Sequence, residues 1–143
     1  EAAAAGIASA IYGPDDIVVM GVSAARLHGA IPRALATATV AVPAQHRPIA
    51  LSDRTAITRF IKRNTQGIDA ERYETELGSI LVTTPEQTIL DLTHRLELGD
   101  TETDVPVAVT ALYERSDKDR LQALALEQRR IASLRRAEVW TRQ

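Results

Sequence analysis

The chain has 143 residues, a formal net charge of −2, 45% hydrophobic residues and no cysteine. That length suits a single domain with a sizeable core, and the lack of thiols excludes disulfides and thiolate metal centres. With one Phe, one Trp and three Tyr, the core must be built from Leu, Ile, Val and Ala.

Residues 1–12 read as an alanine-rich helix, because alanine is the best helix former; Gly13-Pro14 ends it. Ile17 to Met20 is a short apolar run, either a buried strand or a helical turn. Ser23 is placed to cap a short helix from Ala24 to His28, and Gly29 to terminate it. Thr37 to Val42 alternates β-branched residues with alanine and stops at Pro43, the pattern of a half-buried strand. Ile49 to Leu51 can pair beside it, and Thr58 to Arg63 reads as a strand with one wet face. Tyr73 to Leu77 and Ile80 to Thr83 form a hairpin with Gly78-Ser79 as its turn.

Next comes the clearest start signal in the chain. Thr84 is a cap, Pro85 suits the first turn, and Gln87 stands where a capping box wants it. The helix runs to about Glu97 with Ile89, Leu92 and Leu96 on one face. An acidic linker follows, then a helix over Val105 to Arg115 with Pro106 tolerated in its first turn. Ser116 or Asp117 caps a last helical region, either one rod to Trp140 or two pieces broken near Arg130. The expected architecture is α+β: a small, mostly antiparallel sheet flanked by short N-terminal helices and followed by a helical C-terminal third. Residues 1–143 form one domain, divided into an N-terminal helix (1–14), an α/β core (15–97) and a helical part (105–143).

No apolar run reaches the roughly 18–20 residues of a membrane span. Ala2 to Ile11 lacks the basic leader of a signal peptide. Membrane association is therefore not expected, and a reducing, cytoplasmic setting is. The chain begins at Glu1 rather than Met, which reads as a trimmed or processed piece of a longer protein.

Charge is segregated along the chain. Residues 1–25 carry three acids and no base, and 26–63 carry seven Lys/Arg against Asp53. Residues 64–114 carry eleven acids and two bases, and 115–143 eight bases and four acids. Such blocks either pair within the fold or mark a polar partner surface.

No catalytic constellation emerges. Gly21-Val22-Ser23-Ala24-Ala25 lacks the second glycine of a nucleophile elbow, so Ser23 reads as a cap. His28, His46 and His94 stand apart without metal-ligand spacing; His28 is expected to pack under the following strand or to hydrogen-bond backbone. Asp15-Asp16 could hold a hard cation but suits a capping role better. Asp91 lies in the favourable N-terminal field of its helix, or takes an arginine such as Arg59 or Arg63. No cofactor and no enzymatic activity are expected. A metal-dependent hydrolase using Asp15, Asp16 or Asp91 is the weakest reading. Arg54, Arg59, Lys62 and Arg63 form a basic stretch that could contact phosphates. Arg129, Arg130, Arg135 and Arg136 form two further doublets, expected on a helix. These eight are the candidate partner-binding residues.

Two blocks carry a family likeness. The first is Gly21-Val22-Ser23-Ala24-Ala25-Arg26-Leu27-His28-Gly29, followed by a strand ending in Ala41-Val42-Pro43. The second is Val82-Thr83-Thr84-Pro85-Glu86-Gln87-Thr88-Ile89-Leu90-Asp91-Leu92. Their order and spacing resemble the C-terminal domain of the AbiEi family of bacterial antitoxins, in its actinobacterial or mycobacterial style, over about residues 15–130. There a Ser-Ala…His-Gly helix precedes the sheet and a Thr-x-x-x-x-Thr-Ile/Leu-Leu-Asp helix follows it.

The resemblance implies an antitoxin that counteracts a nucleotidyltransferase-like toxin encoded beside it. It also implies an upstream winged-helix domain that binds the operon's own promoter DNA for autorepression, and that domain lies outside this chain. Ser23, His28, Gly29, Thr84, Thr88 and Asp91 then read as fold determinants. The alternative from the residues alone is a nucleic-acid-binding module acting through the basic 26–63 segment.

Overall fold

The computed structural model describes residues 18–31, 37–42, 49–50, 57–62, 68–75, 78–94 and 104–142. The expectations for residues 1–17, including the first helix and Asp15-Asp16, lie outside this set, as do Arg54, Arg63 and the acidic linker.

The described strands are β1 (Val18–Val19), β2 (Thr37–Val42), β3 (Ile49–Ala50), β4 (Ile57–Lys62), β5 (Ala70–Thr75) and β6 (Gly78–Thr83). They form one sheet in the order β3-β4-β2-β1-β6-β5. Three pairings are antiparallel: β1 with β2, β3 with β4, and β5 with β6. Two are parallel: β1 with β6, and β2 with β4. The sheet is therefore mixed. β4 turns back over β3 and lies between it and β2, and two-residue β1 bridges β2 to the β5–β6 hairpin. Val18 and Val19 are almost wholly buried and pair with β2 and β6, which places a strand inside the ambiguous apolar run.

The hairpin is real, but its turn sits earlier than the turn chemistry suggests. Thr75 pairs with Gly78 and Glu74 with Ser79, so Gly78-Ser79 belongs to β6. The connection falls at residues 76–77, outside the described set.

Among the described residues five helices accompany the sheet: α1 (Gly21–Leu27), α2 (Pro85–His94), α3 (Asp104–Glu114), α4 (Lys118–Glu127) and α5 (Ile131–Thr141). The start of α1 differs from expectation. The helix begins at Gly21, whose φ of +60° lets the chain turn straight out of β1, a conformation glycine adopts without penalty. Ser23 is consequently inside the helix and fully buried, not its cap. The end of α1 is as expected. Gly29 has φ +81°, and its N–H and that of Ala30 bond the carbonyls of Arg26 and Ala25, which is a Schellman stop.

Asp117 caps α4, its carboxylate accepting from the N–H groups of Asp119 and Arg120. The C-terminal helical region is broken, not one rod. Arg129 has φ +57°, and the N–H groups of Arg129 and Arg130 bond the carbonyls of Leu126 and Ala125. This is a second Schellman stop, built without glycine.

Helix α2 is the centre of the helical part and touches all four other helices and β6. Every residue from Glu86 to Thr93 is buried. It is therefore not the one-faced helix that the Ile89, Leu92 spacing suggests. Ile89, Leu90 and Leu92 join Val105, Val109, Leu112, Leu121 and Leu124 in the apolar core, with Ile131, Leu134 and Trp140 packed against it. Each such side chain contributes roughly 1.5–3 kcal/mol on burial. Among the described residues, no helix is long and apolar enough to cross a membrane.

Candidate functional site

The helix start at Thr84 is the hub of the polar interior. The Thr84 hydroxyl accepts from the Gln87 N–H at 3.3 Å and donates to Asp69 Oδ2 at 2.6 Å. The first half of a capping box is thus made. The second half is not: the Thr84 N–H bonds the Asp69 carbonyl at 3.1 Å, so Gln87 is released for other partners. Its Oε1 accepts from the Asp69 N–H at 3.1 Å, and its Nε2 donates to Asp91 Oδ1 at 3.0 Å. These two fixed roles set the orientation of the amide. Gln128, just past the end of α4, then pairs with it reciprocally at 3.0 and 2.5 Å.

Thr88 ties α2 to the end of β6. Its hydroxyl donates to the Thr84 carbonyl at 2.8 Å and accepts from Thr83 Oγ1 at 2.7 Å. His28 does the same from α1. A carbonyl only accepts, so Nε2 carries the proton it donates to Thr83 O at 2.7 Å. Nδ1 then receives the Tyr73 hydroxyl at 2.7 Å, and the two rings meet edge-on at 5.4 Å. Burial, and next Glu71, push the Tyr73 phenol up, with Arg115 acting against them. It remains a donor at neutral pH. The backbone bond expected of His28 is observed; the tyrosine partner carries no sequence signal.

Arg120 reaches from α4 to grip Asp69 through Nε, at 3.1 Å, and through Nη2, and it stands 4.0 Å from Glu86. Burial pushes the Glu86 carboxyl above its usual range. Its own backbone N–H and Arg120 act downward, while Asp69 and Asp117 act upward. Among the described residues, no group of three or more His, Asp or Glu is arranged to hold a metal ion.

The basic candidates separate. Arg59 and Lys62 lie on β4, in register with Thr39 and Val42; Arg54 and Arg63 are outside the described residues. The first C-terminal doublet is not on a helix, because Arg129 and Arg130 form the turn between α4 and α5. The second is on α5 but divides in role. Arg136 donates from Nη1 to the Thr93 carbonyl at 2.7 Å, so it caps α2 where the helix dipole favours a cation. Arg135 is exposed and lines an open depression with Glu138, Val139 and Arg142. Sequence reasoning missed Arg142 and Val139, although both fall on the stripe that helical spacing draws from Arg135.

A comparison with curated proteins finds no match. The family model described as the AbiEi antitoxin C-terminal domain matches residues 17–139. That span takes in β1 through most of α5, with both Ser23–Gly29 and the Thr84–Asp91 hub inside it. The chain belongs to the AbiEi antitoxin C-terminal domain family, and so is an antitoxin domain of a toxin–antitoxin system with a cognate toxin as its partner.

Proposed function

We propose that this domain neutralises a nucleotidyltransferase-like toxin encoded beside it, by direct contact and without catalysing a reaction. In the same reading, residues 1–143 act as one antitoxin unit in the cytoplasm. An upstream winged-helix domain binds promoter DNA and represses the operon. One observation carries the direct-contact reading. The signature side chains Ser23, His28, Thr84, Thr88 and Asp91 are all buried, and His28, Thr84, Thr88 and Asp91 bond partners inside the fold. They hold the scaffold and leave recognition to the outward charged surface. Arg54, Arg59, Lys62, Arg63, Arg129, Arg130 and Arg135 are the proposed contacts, with Arg136 contributing only beyond its cap on Thr93.

The test is co-purification of this chain with the tagged product of the neighbouring gene, together with rescue of growth in cells producing that protein. Binding and rescue are expected. Failure of both rejects the reading. Steeply salt-dependent retention on nucleic acid, without toxin binding, favours the basic 26–63 segment acting on phosphates instead.

A further inference from the structure

The sheet ends in an open strand edge. β5 (Ala70–Thr75) is the last strand in the sheet order, and among the described residues it pairs with β6 alone. The direction of its main-chain groups follows from one bond. The Thr84 N–H bonds the Asp69 carbonyl, and the register runs without a bulge from Ala70 opposite Thr83 to Thr75 opposite Gly78. Along an antiparallel ladder, bonded and non-bonded pairs alternate. Asp69, Glu71, Tyr73 and Thr75 therefore turn their main-chain groups toward β6, and Ala70, Arg72 and Glu74 turn theirs outward. The side chains of Glu71, Arg72 and Glu74 are exposed as well. An edge of this kind is a template for another strand.

We propose that this edge pairs antiparallel with the same edge of a second copy of the chain, around a twofold axis at Tyr73. Such an axis stands normal to the sheet and makes one residue its own partner. With Tyr73 on the axis, Arg72 of each copy faces Glu74 of the other. Opposed residues of an antiparallel pair have Cβ atoms about 4.5–5.5 Å apart on one face of the sheet, within reach of an arginine fork on a carboxylate. The Arg72 guanidinium now reaches Ser79 Oγ at 3.5 Å, a long bond that a carboxylate outcompetes. Glu71 stands opposite residue 75, a threonine. Arg72 and Glu74 also turn their main-chain groups outward, so the same two pairs exchange about four N–H to C=O bonds. An axis at Glu71, Arg72 or Glu74 instead sets that charge against itself, which is destabilising. Charges on an edge strand ordinarily repel a visiting strand; here they repel the neighbouring registers and match one. The strand that complements this edge is the edge itself. A strand edge alone falls short of the roughly 1,200–2,000 Å² that a stable interface buries, so the dimer is weak and forms at high concentration. The inference does not depend on how the toxin is counteracted.

The experiment is sedimentation velocity of this chain over a rising concentration series, with backbone hydrogen exchange at the two ends of the series. Wild type is expected to pass from monomer to dimer. The Arg72 and Glu74 amides should exchange at least tenfold more slowly at the highest concentration, while those of Glu71 and Tyr73, already turned to β6, should not change. Arg72→Glu and Glu74→Arg should each raise the dimer Kd at least tenfold. The two single variants mixed together should form a heterodimer, and Arg72→Glu/Glu74→Arg should dimerise as wild type, because both arrangements restore opposite charges across the axis. Circular dichroism and melting of the monomers should match wild type. A chain that stays monomeric throughout overturns the proposal. A dimer that the single reversals leave intact, or one that neither the mixture nor the double variant restores, overturns it too. Protection of the Arg72 and Glu74 amides only on adding the product of the neighbouring gene gives the edge to another protein and also overturns it.

Discussion

Gln87→Met puts the polar hub to a quantitative test. Methionine fills nearly the same volume at this fully buried site but makes none of the amide's bonds. The Asp69 N–H loses its acceptor, and the Asp91 carboxylate loses the donor now at 3.0 Å. A buried group stripped of its partner costs about 1–3 kcal/mol, more when charged. Taking about 1 for the part-buried N–H and about 2 for one lost bond to the buried carboxylate gives a loss of about 3 kcal/mol. Gln128 is half-buried and can turn to water, so it adds little. For a domain of this size the loss lowers Tm by roughly 9 °C. Urea unfolding followed through the single tryptophan, Trp140, which packs against the core, measures it directly. The slope with urea should not change. Gln128→Met alone should cost under about 1 kcal/mol, and the double variant should fall short of the sum because the amide pair is already broken. A loss below about 1 kcal/mol for Gln87→Met, or strict additivity, would refute the hub.

Arg129→Gly relieves a left-handed residue at φ +57°. The relief of about 1–2 kcal/mol exceeds the roughly 0.4–1 kcal/mol of added unfolded-chain freedom, so urea unfolding should show a gain of about 0.5–1 kcal/mol. Arg136→Met should cost about 1 kcal/mol by removing the cap on Thr93, whereas Arg135→Met should leave stability unchanged; equal losses would contradict the division of the doublet. Glu86 titrates higher in the folded chain than in the unfolded one. Its contribution is therefore fully favourable below the unfolded value and is lost as pH rises through the raised folded value. Glu86→Gln should match wild type in acid and exceed it increasingly toward neutral pH. Parallel stability–pH curves for the two proteins would contradict the burial argument.

The fold was legible where local chemistry decides it. β2 alternates and ends before a proline, Asp117 sits ahead of a helical run, and Thr84-Pro85 carries its own start signal. Sheet order was not legible, because the strand that joins the two halves is two residues long and two residues have no period. The exposure of α2 was misjudged for a different reason. Gln87, Asp91, Thr88 and Thr93 look like a wet face until their partners are known. Those partners are partly local, as with Thr88 on Thr84, and partly remote, as with Gln87 on Asp69 and Gln128. Polar residues on a helix predict solvent only when nothing in the fold completes their bonds.

The same distinction reorganises the candidate site. Arg135 and Arg136 are neighbours of equal charge, and charge patterning alone gives them one role. The carbonyl of Thr93 separates them: one arginine closes the C-terminus of the buried helix and the other is left to solvent. A motif turned inward can identify a fold without naming what it meets. If Thr84 to Asp91 is fully engaged in holding α2, then two antitoxins sharing that signature can differ in partner through outward side chains alone.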